Sequence, residues 1–211
     1  MSEELTKRIL SSIVLIPITL FFIIQGSFLF LFFIFICLGI IIYEWHMMSK
    51  NKSYRIIGFI FLFLSFYTIY KLRIDNDYWF LLFVIIICIS TDIGGYIFGK
   101  IFKGPKLTKF SPNKTYAGMI GGYSLSIIST IILNNFYLSD YLSFKWFIFV
   151  FLISTISQIG DIVISYFKRL SKIKDTGKII PGHGGLLDRI DGMIFAFPFF
   201  FLLKLIGFLN L

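Results

Sequence analysis

Charge is scarce in this sequence. Asp, Glu, Lys and Arg make up 15% of its 211 residues, where a soluble domain of this size carries about 25%. Cysteine is nearly absent: Cys37 and Cys88 are the only two, and both stand inside apolar runs. That excludes a disulfide framework and a thiolate metal knuckle, and each reads as a small buried hydrophobe. Alanine is limited to Ala117 and Ala196. The G-x-x-x-x-G-K-[ST] spacing of a Walker loop is missing. So is any RNA- or DNA-binding motif beside the basic residues, which leaves no case for a nucleic-acid partner despite a net charge of +9. No ten-residue alternation repeats along the chain, which excludes a membrane β-barrel.

What fills the chain instead is apolar: 57% of residues are hydrophobic and 20% aromatic. Ile9 to Tyr43 contains no charged residue. A membrane crossing needs roughly 20 apolar residues at about 1.5 Å rise each, so this run is too long for one. Gln25-Gly26-Ser27 supplies a polar, flexible break, predicting helices over about 9–24 and 28–43. Further spans are predicted at about 56–70, 78–99, 117–136, 146–167 and 192–210, the third being short. In lipid every backbone N–H and C=O must be satisfied within the protein, so these are helices. The expected fold is all-α, a polytopic membrane bundle of about seven transmembrane helices. No small-residue cleavage site follows the first run, which is therefore read as a span and not a removable signal peptide.

The basic residues alternate between rich and poor connections. The rich ones carry Lys50, Lys52 and Arg55; Lys100, Lys103, Lys106, Lys109 and Lys114; and Lys168, Arg169, Lys172, Lys174, Lys178 and Arg189. The poor ones carry Lys71 and Arg73, or Lys145, or nothing at 25–27. The positive-inside rule then places the amino terminus and the three rich connections in the cytoplasm.

Carboxylates at membrane depth cost about 2.5–3.5 kcal/mol on insertion scales and are functional by default, facing a bundle interior or a wet cavity. Asp92 and Asp161 are such residues; a helix-packing hydrogen bond is the alternative for each. Gly94, Gly95 and Gly99 form a small-residue stripe suited to close helix packing. Near the membrane edge, Glu44-Trp45-His46 reads as part of an aromatic belt. The 105–115 connection combines Lys106, Lys109 and Lys114 with Thr108, Ser111 and Thr115 and two prolines. Ammonium and hydroxyl donors suit phosphate oxygens, and the same lysines serve equally as topology determinants. Residues 165–191 gather more. Asp175, Asp188 and Asp191 offer hard oxygen ligands, while Lys168, Arg169, Lys174 and Arg189 offer cations for phosphates. Glycines around His183 let backbone N–H groups approach an anion. Mg²⁺ characteristically takes one or two carboxylates plus substrate phosphates, so this set points to nucleotidyl or phosphoryl transfer at a membrane surface. His183 reads as an acid, a hydrogen-bond donor or a loop residue.

The run from Ser165 to Asp191, S-Y-F-K-R-L-S-K-I-K-D-T-G-K-I-I-P-G-H-G-G-L-L-D-R-I-D, resembles the signature of the phosphatidate cytidylyltransferases, also called CDP-diglyceride synthetases. Thr91-Asp92 with Gly94-Gly95-Tyr96 and Gly99, Ser111-Pro112-Asn113-Lys114-Thr115 with Gly118, and Gln158-Ile159-Gly160-Asp161 resemble three further segments of that family. The likeness read from these motifs covers about residues 90–200. It divides the chain into amino-terminal membrane helices, 1–89, and a catalytic membrane region, 90–211. It implies that CTP and phosphatidate give CDP-diacylglycerol and pyrophosphate with Mg²⁺, in the bacterial cytoplasmic membrane, with the site facing the cytoplasm and a homodimer as the assembly. By position, Asp161 and Asp188 would be the metal carboxylates and Asp191 their support. Lys168, Arg169 and Arg189 would bind phosphates. Asp92, Ser111, Lys114, Thr115, Lys174, His183 and Gly184 complete the expected substrate site. A CTP-dependent lipid-alcohol kinase and a membrane transporter are the alternatives. The kinase should lack the full Ser165–Asp191 run, and the transporter should spread its charges through several helices.

Overall fold

A computed structural model describes residues 3–75, 77–108, 111, 113–137, 144–182 and 184–208. These residues are helical apart from their connections, where two isolated β-bridges join Lys106 to Thr115 and Ile180 to Gly184. The helices are α1 (Glu3–Gln25), α2 (Ser27–Met48), α3 (Arg55–Ile74), α4 (Tyr78–Phe102), α5 (Tyr116–Tyr137), α6 (Phe144–Leu170), α7 (Leu187–Ile190) and α8 (Met193–Leu205).

Each of the seven expected spans is occupied by a helix. Five are long and apolar enough to cross a membrane: α2, α3, α4, Tyr116–Leu133 within α5, and α6. The apolar part of α1, Leu10–Gln25, and α8 are shorter. Several boundaries differ from expectation: α1 begins at Glu3 rather than 9, and α2 runs on to Met48 rather than 43. The third span continues through Lys71 and Arg73 to Ile74, because long basic side chains carry their charge away from an apolar helix. Lys71 also pairs with Asp75 one turn on, at 3.5 Å. The last span ends at Leu205, not 210, and is preceded by the single turn α7. Leu186, Asp191 and Gly192 all hold right-handed helical dihedrals, so the backbone stays helical in sense from Leu186 into α8.

The chain divides into two compact units. One comprises Met1–Phe80 with Phe167–Asp191, the other Leu81–Tyr166 with Gly192–Leu211. The division by motif at 89/90 is one of sequence; the compact units are drawn differently, and the carboxyl-terminal part of the signature run packs with the amino-terminal helices.

In the first unit the break at Gly26 is real: Gly26 and Ser27 take φ of 65° and 49°. The Arg73 guanidinium lies where a side chain on residue 26 would project. It donates to the last carbonyls of α1, Nε to Ile23 at 2.7 Å and Nη2 to Ile24 at 3.1 Å. A charge counted with a loop is thus a helix cap, satisfying carbonyls that have no partner inside the helix. The belt reading of Trp45 and His46 is corrected. Trp45 is buried, sits edge-on to Tyr54 and Phe167, and donates from Nε1 to the Arg55 carbonyl at 3.0 Å. Arg55 Nη2 donates to His46 Nδ1 at 2.6 Å. The indole N–H finds its acceptor inside the unit, so the ring has no need of a wet interface. Large apolar side chains on α3, including Ile56, Ile57 and Ile60, remain exposed, as a lipid-facing surface requires.

The second unit is built on close helix approach. A Cβ on Gly94 would strike the Gly121 carbonyl of α5, and one on Gly118 would lie 2.7 Å from the Gly95 carbonyl oxygen. The small-residue stripe therefore does pack α4 against α5. Phe149, Phe200, Phe83 and Trp146 interlock in the core. Cys88 is fully buried and Cys37 half-buried, both as free thiols.

Candidate active site

The signature residues of the first unit are set by how α6 stops. Lys172 takes a φ of 57°. The Ile173 N–H donates to the Lys168 carbonyl and the Lys172 N–H to that of Arg169, both at 3.0 Å. This is a Schellman ending with lysine where glycine is usual. Arg169 Nη1 adds a bond to the Ile173 carbonyl at 3.1 Å. The chain then runs out, turns back over Pro181–Gly184, and closes with Ile180 N–H to the Gly184 carbonyl at 2.9 Å. Gly182 and Gly184 hold φ of 76° and 86°, where a Cβ is disfavoured. At Gly184 a Cβ would also come within 2.8 Å of Asp188 Oδ2.

That turn delivers Asp188. Its Oδ2 accepts from the backbone N–H of Thr176 at 2.8 Å and of Gly185 at 2.9 Å. Its Oδ1 accepts from Lys168 Nζ at 3.0 Å. Lys168 Nζ also lies 3.9 Å from Asp191 Oδ2. The three side chains are 5%, 11% and 12% exposed for Asp188, Lys168 and Asp191. Lys168 lies between two carboxylates in a nearly closed cluster. Buried charge of this kind persists when paired or when it holds a cation.

Beneath the loop lies a residue that the motifs did not flag. Glu44 of α2 is 1% exposed. Its Oε1 accepts from Leu186 N–H at 2.9 Å; its Oε2 accepts from Leu187 N–H at 2.8 Å and from Thr176 Oγ1 at 3.1 Å. Glu44 carries the same sign that marked Asp92 and Asp161, an acid within an apolar helix, but its place beside Trp45 and His46 led to the belt reading.

The second unit contains the other expected group. The 103–116 connection folds back on itself, with Leu107 N–H to the Lys114 carbonyl at 2.7 Å and Tyr116 N–H to that of Pro105 at 3.2 Å. Thr115 caps α5, its Oγ1 accepting from Gly118 N–H at 3.1 Å, the third residue of the helix, as an N-cap does. Lys114 Nζ pairs with Asp161 Oδ2, and Ser165 Oγ donates to Asp161 Oδ1 at 3.4 Å. Asp92 is exposed on α4 next to Ile93 and Tyr96, and so does not face the bundle interior.

The structure thus brings together Lys168, Asp188, Asp191 and Gly184 in one unit, and Lys114 with Asp161 in the other. Arg169, Lys174 and Arg189 are exposed near the first cluster's chain, and Ser111 is half-buried near Lys114. His183, Lys109 and Pro112 lie outside the described residues. Asp161 and Asp188 belong to different units. Among the described residues, no group of three or more His, Cys, Asp or Glu could hold a metal ion. Asp188 and Asp191 would offer hard oxygen atoms to Mg²⁺, whose shell is characteristically completed by substrate phosphates and water rather than by a protein cage.

The model of the Cytidylyltransferase family matches residues 54–206. The phosphatidate cytidylyltransferase of Rickettsia felis is 35% identical, with 97% of this chain aligned to 94% of that protein. That of Rickettsia typhi is 38% identical, over 94% and 91%, and that of Staphylococcus saprophyticus 32%, over 77% and 65%. The likeness reaches well beyond the 90–200 stretch that the motifs define, into the amino-terminal helices. The chain belongs to the cytidylyltransferase family.

Proposed function

We propose that this protein is a phosphatidate cytidylyltransferase, transferring CMP from CTP to phosphatidate. A phosphate oxygen of phosphatidate attacks the α-phosphorus of CTP. A new P–O bond forms, the α–β anhydride bond breaks, and pyrophosphate leaves with the electron pair. The attacking phosphomonoester carries about −1.5 to −2 charge near neutral pH, so it needs no strong general base. The difficulty is to hold two polyanions together in line, and positioning with charge stabilisation answers it.

The observation that carries this reading is the Lys168–Asp188–Asp191 cluster, set by backbone donors and lying in the matched region. Lys168 would exchange a carboxylate for a substrate phosphate oxygen. Arg169, Lys174 and Arg189, exposed along the same stretch, would draw in the headgroup and triphosphate. In the second unit Lys114, paired with Asp161, is a further cation able to take a phosphate oxygen. Asp188, with Asp191 beside it, would hold Mg²⁺; when bound, the ion would neutralise charge on the triphosphate and the departing pyrophosphate. The exposed apolar surface supports lipid contact, which lets phosphatidate present its head while its tails stay in the bilayer. The alternation of basic connections supports a cytoplasmic-membrane location with both groups facing the cytoplasm.

The test is an assay of purified protein with CTP labelled in the cytosine and with phosphatidate. A chloroform-soluble labelled lipid that requires phosphatidate and Mg²⁺ is expected, with pyrophosphate released in equal amount. Transfer of the γ-phosphate to a lipid alcohol, with no cytidine in the lipid phase, would overturn the reading in favour of a kinase.

A further inference from the structure

We infer that Glu44 is a positioning residue for Asp188: it fixes the backbone whose N–H groups aim that carboxylate, and so couples α2 to the reacting site. The inference rests on the role of Asp188 in the proposed reaction, and its geometry lies wholly within the first unit.

The chain of contacts is short. Glu44 takes three donors, the N–H groups of Leu186 and Leu187 and the Thr176 hydroxyl. Asp188 takes two N–H groups from the same two strands of the loop, Thr176 and Gly185. Thr176 therefore donates from its side chain to Glu44 and from its backbone to Asp188. Gly185 and Leu186 are adjacent, one amide going to each carboxylate. The two acids sit on either side of one loop crossing and pin it from both. Leu186 and Leu187 open α7, so the Glu44 carboxylate also meets two amides that a helix start leaves without internal partners.

The glycines agree. A Cβ on Gly185 would strike Thr176 Oγ1 and lie 2.7 Å from both Glu44 oxygens, and one on Gly177 would lie 2.8 Å from Oε1. The loop approaches Glu44 so closely that a side chain at either position would force the Glu44 carboxylate to move. Glu44 touches neither Lys168 nor the open side of Asp188 in any described contact, so it acts through Asp188 and not on substrate.

Glutamine is the informative replacement. Both Glu44 oxygens accept from backbone N–H groups, and an amide NH₂ in either position would face one of them donor to donor. The side-chain volume is kept while the clamp is broken. A misplacement of about 1 Å at a reacting group can cost about 10²-fold, so Glu44→Gln should lower turnover by about 10- to 100-fold.

Amide hydrogen exchange on the purified protein tests the coupling without reference to activity. In the wild type, Thr176, Gly185, Leu186 and Leu187 should exchange slowly, although the first three lie outside any helix. Exchange at the rate of a free loop would overturn the inference with no variant needed. In Glu44→Gln, exchange should rise at all four amides, including Gly185, which donates to Asp188 alone, while α4 keeps its protection. If Gly185 keeps its protection and turnover stays within about threefold of wild type, Glu44 does not position Asp188. Glu44→Asp, which keeps the charge but withdraws it by a methylene, should show the same pattern. If the wild type makes no CDP-diacylglycerol, the proposed reaction fails, and exchange at Gly185 still decides whether Glu44 governs the Asp188 contacts.

Discussion

Asp188 and Asp161 are both carboxylates paired with a lysine, yet their settings differ. Asp188 is 5% exposed and held by two backbone N–H groups, with the loop beneath it tied to Glu44. Asp161 is 27% exposed, and its partner Lys114, 24% exposed, reaches it on a flexible stem. Backbone donors cost nothing to reorganise during a reaction, which is how a site holds charge in place. A half-open lysine pair is screened by solvent and can part to admit an anion. In the proposed reaction one carboxylate would stay in place and the other would exchange partners.

Substitutions can break that comparison, and Asp188→Asn should do so most severely. Asparagine can offer its oxygen to Thr176 and Gly185, but its NH₂ then faces Lys168. Turnover is expected to fall by about 10²–10³-fold, the loss seen when one preorganised electrostatic group is removed. Initial rates per amount of monodisperse, folded protein measure it, and activity within about fivefold of wild type would remove Asp188 from the site. Asp161→Asn should cost less, about 10- to 100-fold, because solvent already shares its charge. A double-mutant cycle with Lys114→Met should show coupling, since contacting residues do not act additively. Independent effects of the two substitutions would mean that the pair does not work as a unit.

Much of this was legible in the sequence, and the misses have physical causes. The seven apolar stretches and the break at Gly26 followed from length and polarity alone, because lipid forces helices wherever it is met. Lys168, Asp188 and Asp191 stood among the charged residues crowded at one membrane edge, with Asp175, Arg169, Lys174 and Arg189, and the family resemblance gave Asp188 its metal role and Asp191 its supporting one. Glu44 was not flagged, since its main partners are backbone amides at Leu186 and Leu187, over 140 positions away. Amides carry no sequence signature, so a buried acid held mostly by backbone looks like any acid near a membrane edge. Arg73 was counted as loop charge for the same reason, and the capping of α5 by Thr115 was not read from the sequence. Capping is a property of where a helix ends, and one residue of boundary decides it.

The second unit depends on helix contact where the first depends on hydrogen bonds, and Gly94→Ala would sharpen that contrast. The added methyl would meet the Gly121 carbonyl, with Gly121 C at 2.8 Å and Leu125 Cβ at 2.9 Å. Two of these three atoms are backbone, so relief requires α4 and α5 to separate. Overpacking of this kind costs about 1–3 kcal/mol. The melting temperature in detergent should fall. Exchange in the Thr176–Leu187 loop of the first unit should stay as in wild type. An unchanged melting temperature would mean that the two helices are not closely packed.

The smallest effect is expected from Thr176→Val, and it separates the two jobs that Thr176 performs. Valine is close to threonine in shape but lacks the hydroxyl, so Glu44 loses one of three donors and keeps Leu186 and Leu187. The residue 176 N–H still donates to Asp188. A buried acceptor deprived of one partner costs on the order of 1 kcal/mol, and here the carboxylate retains bonds on both oxygens. Only part of that cost should reach the reaction, so turnover should fall by about two- to fivefold. Affinity for CTP should stay close to wild type, because no described contact of Thr176 points toward the open side of the cluster. Steady-state kinetics over a range of CTP concentrations make the measurement. A loss comparable to that of Asp188→Asn would show that the hydroxyl, and not the backbone N–H, carries the work of residue 176. The division between a loop-holding Glu44 and a reacting Asp188 would then have to be redrawn.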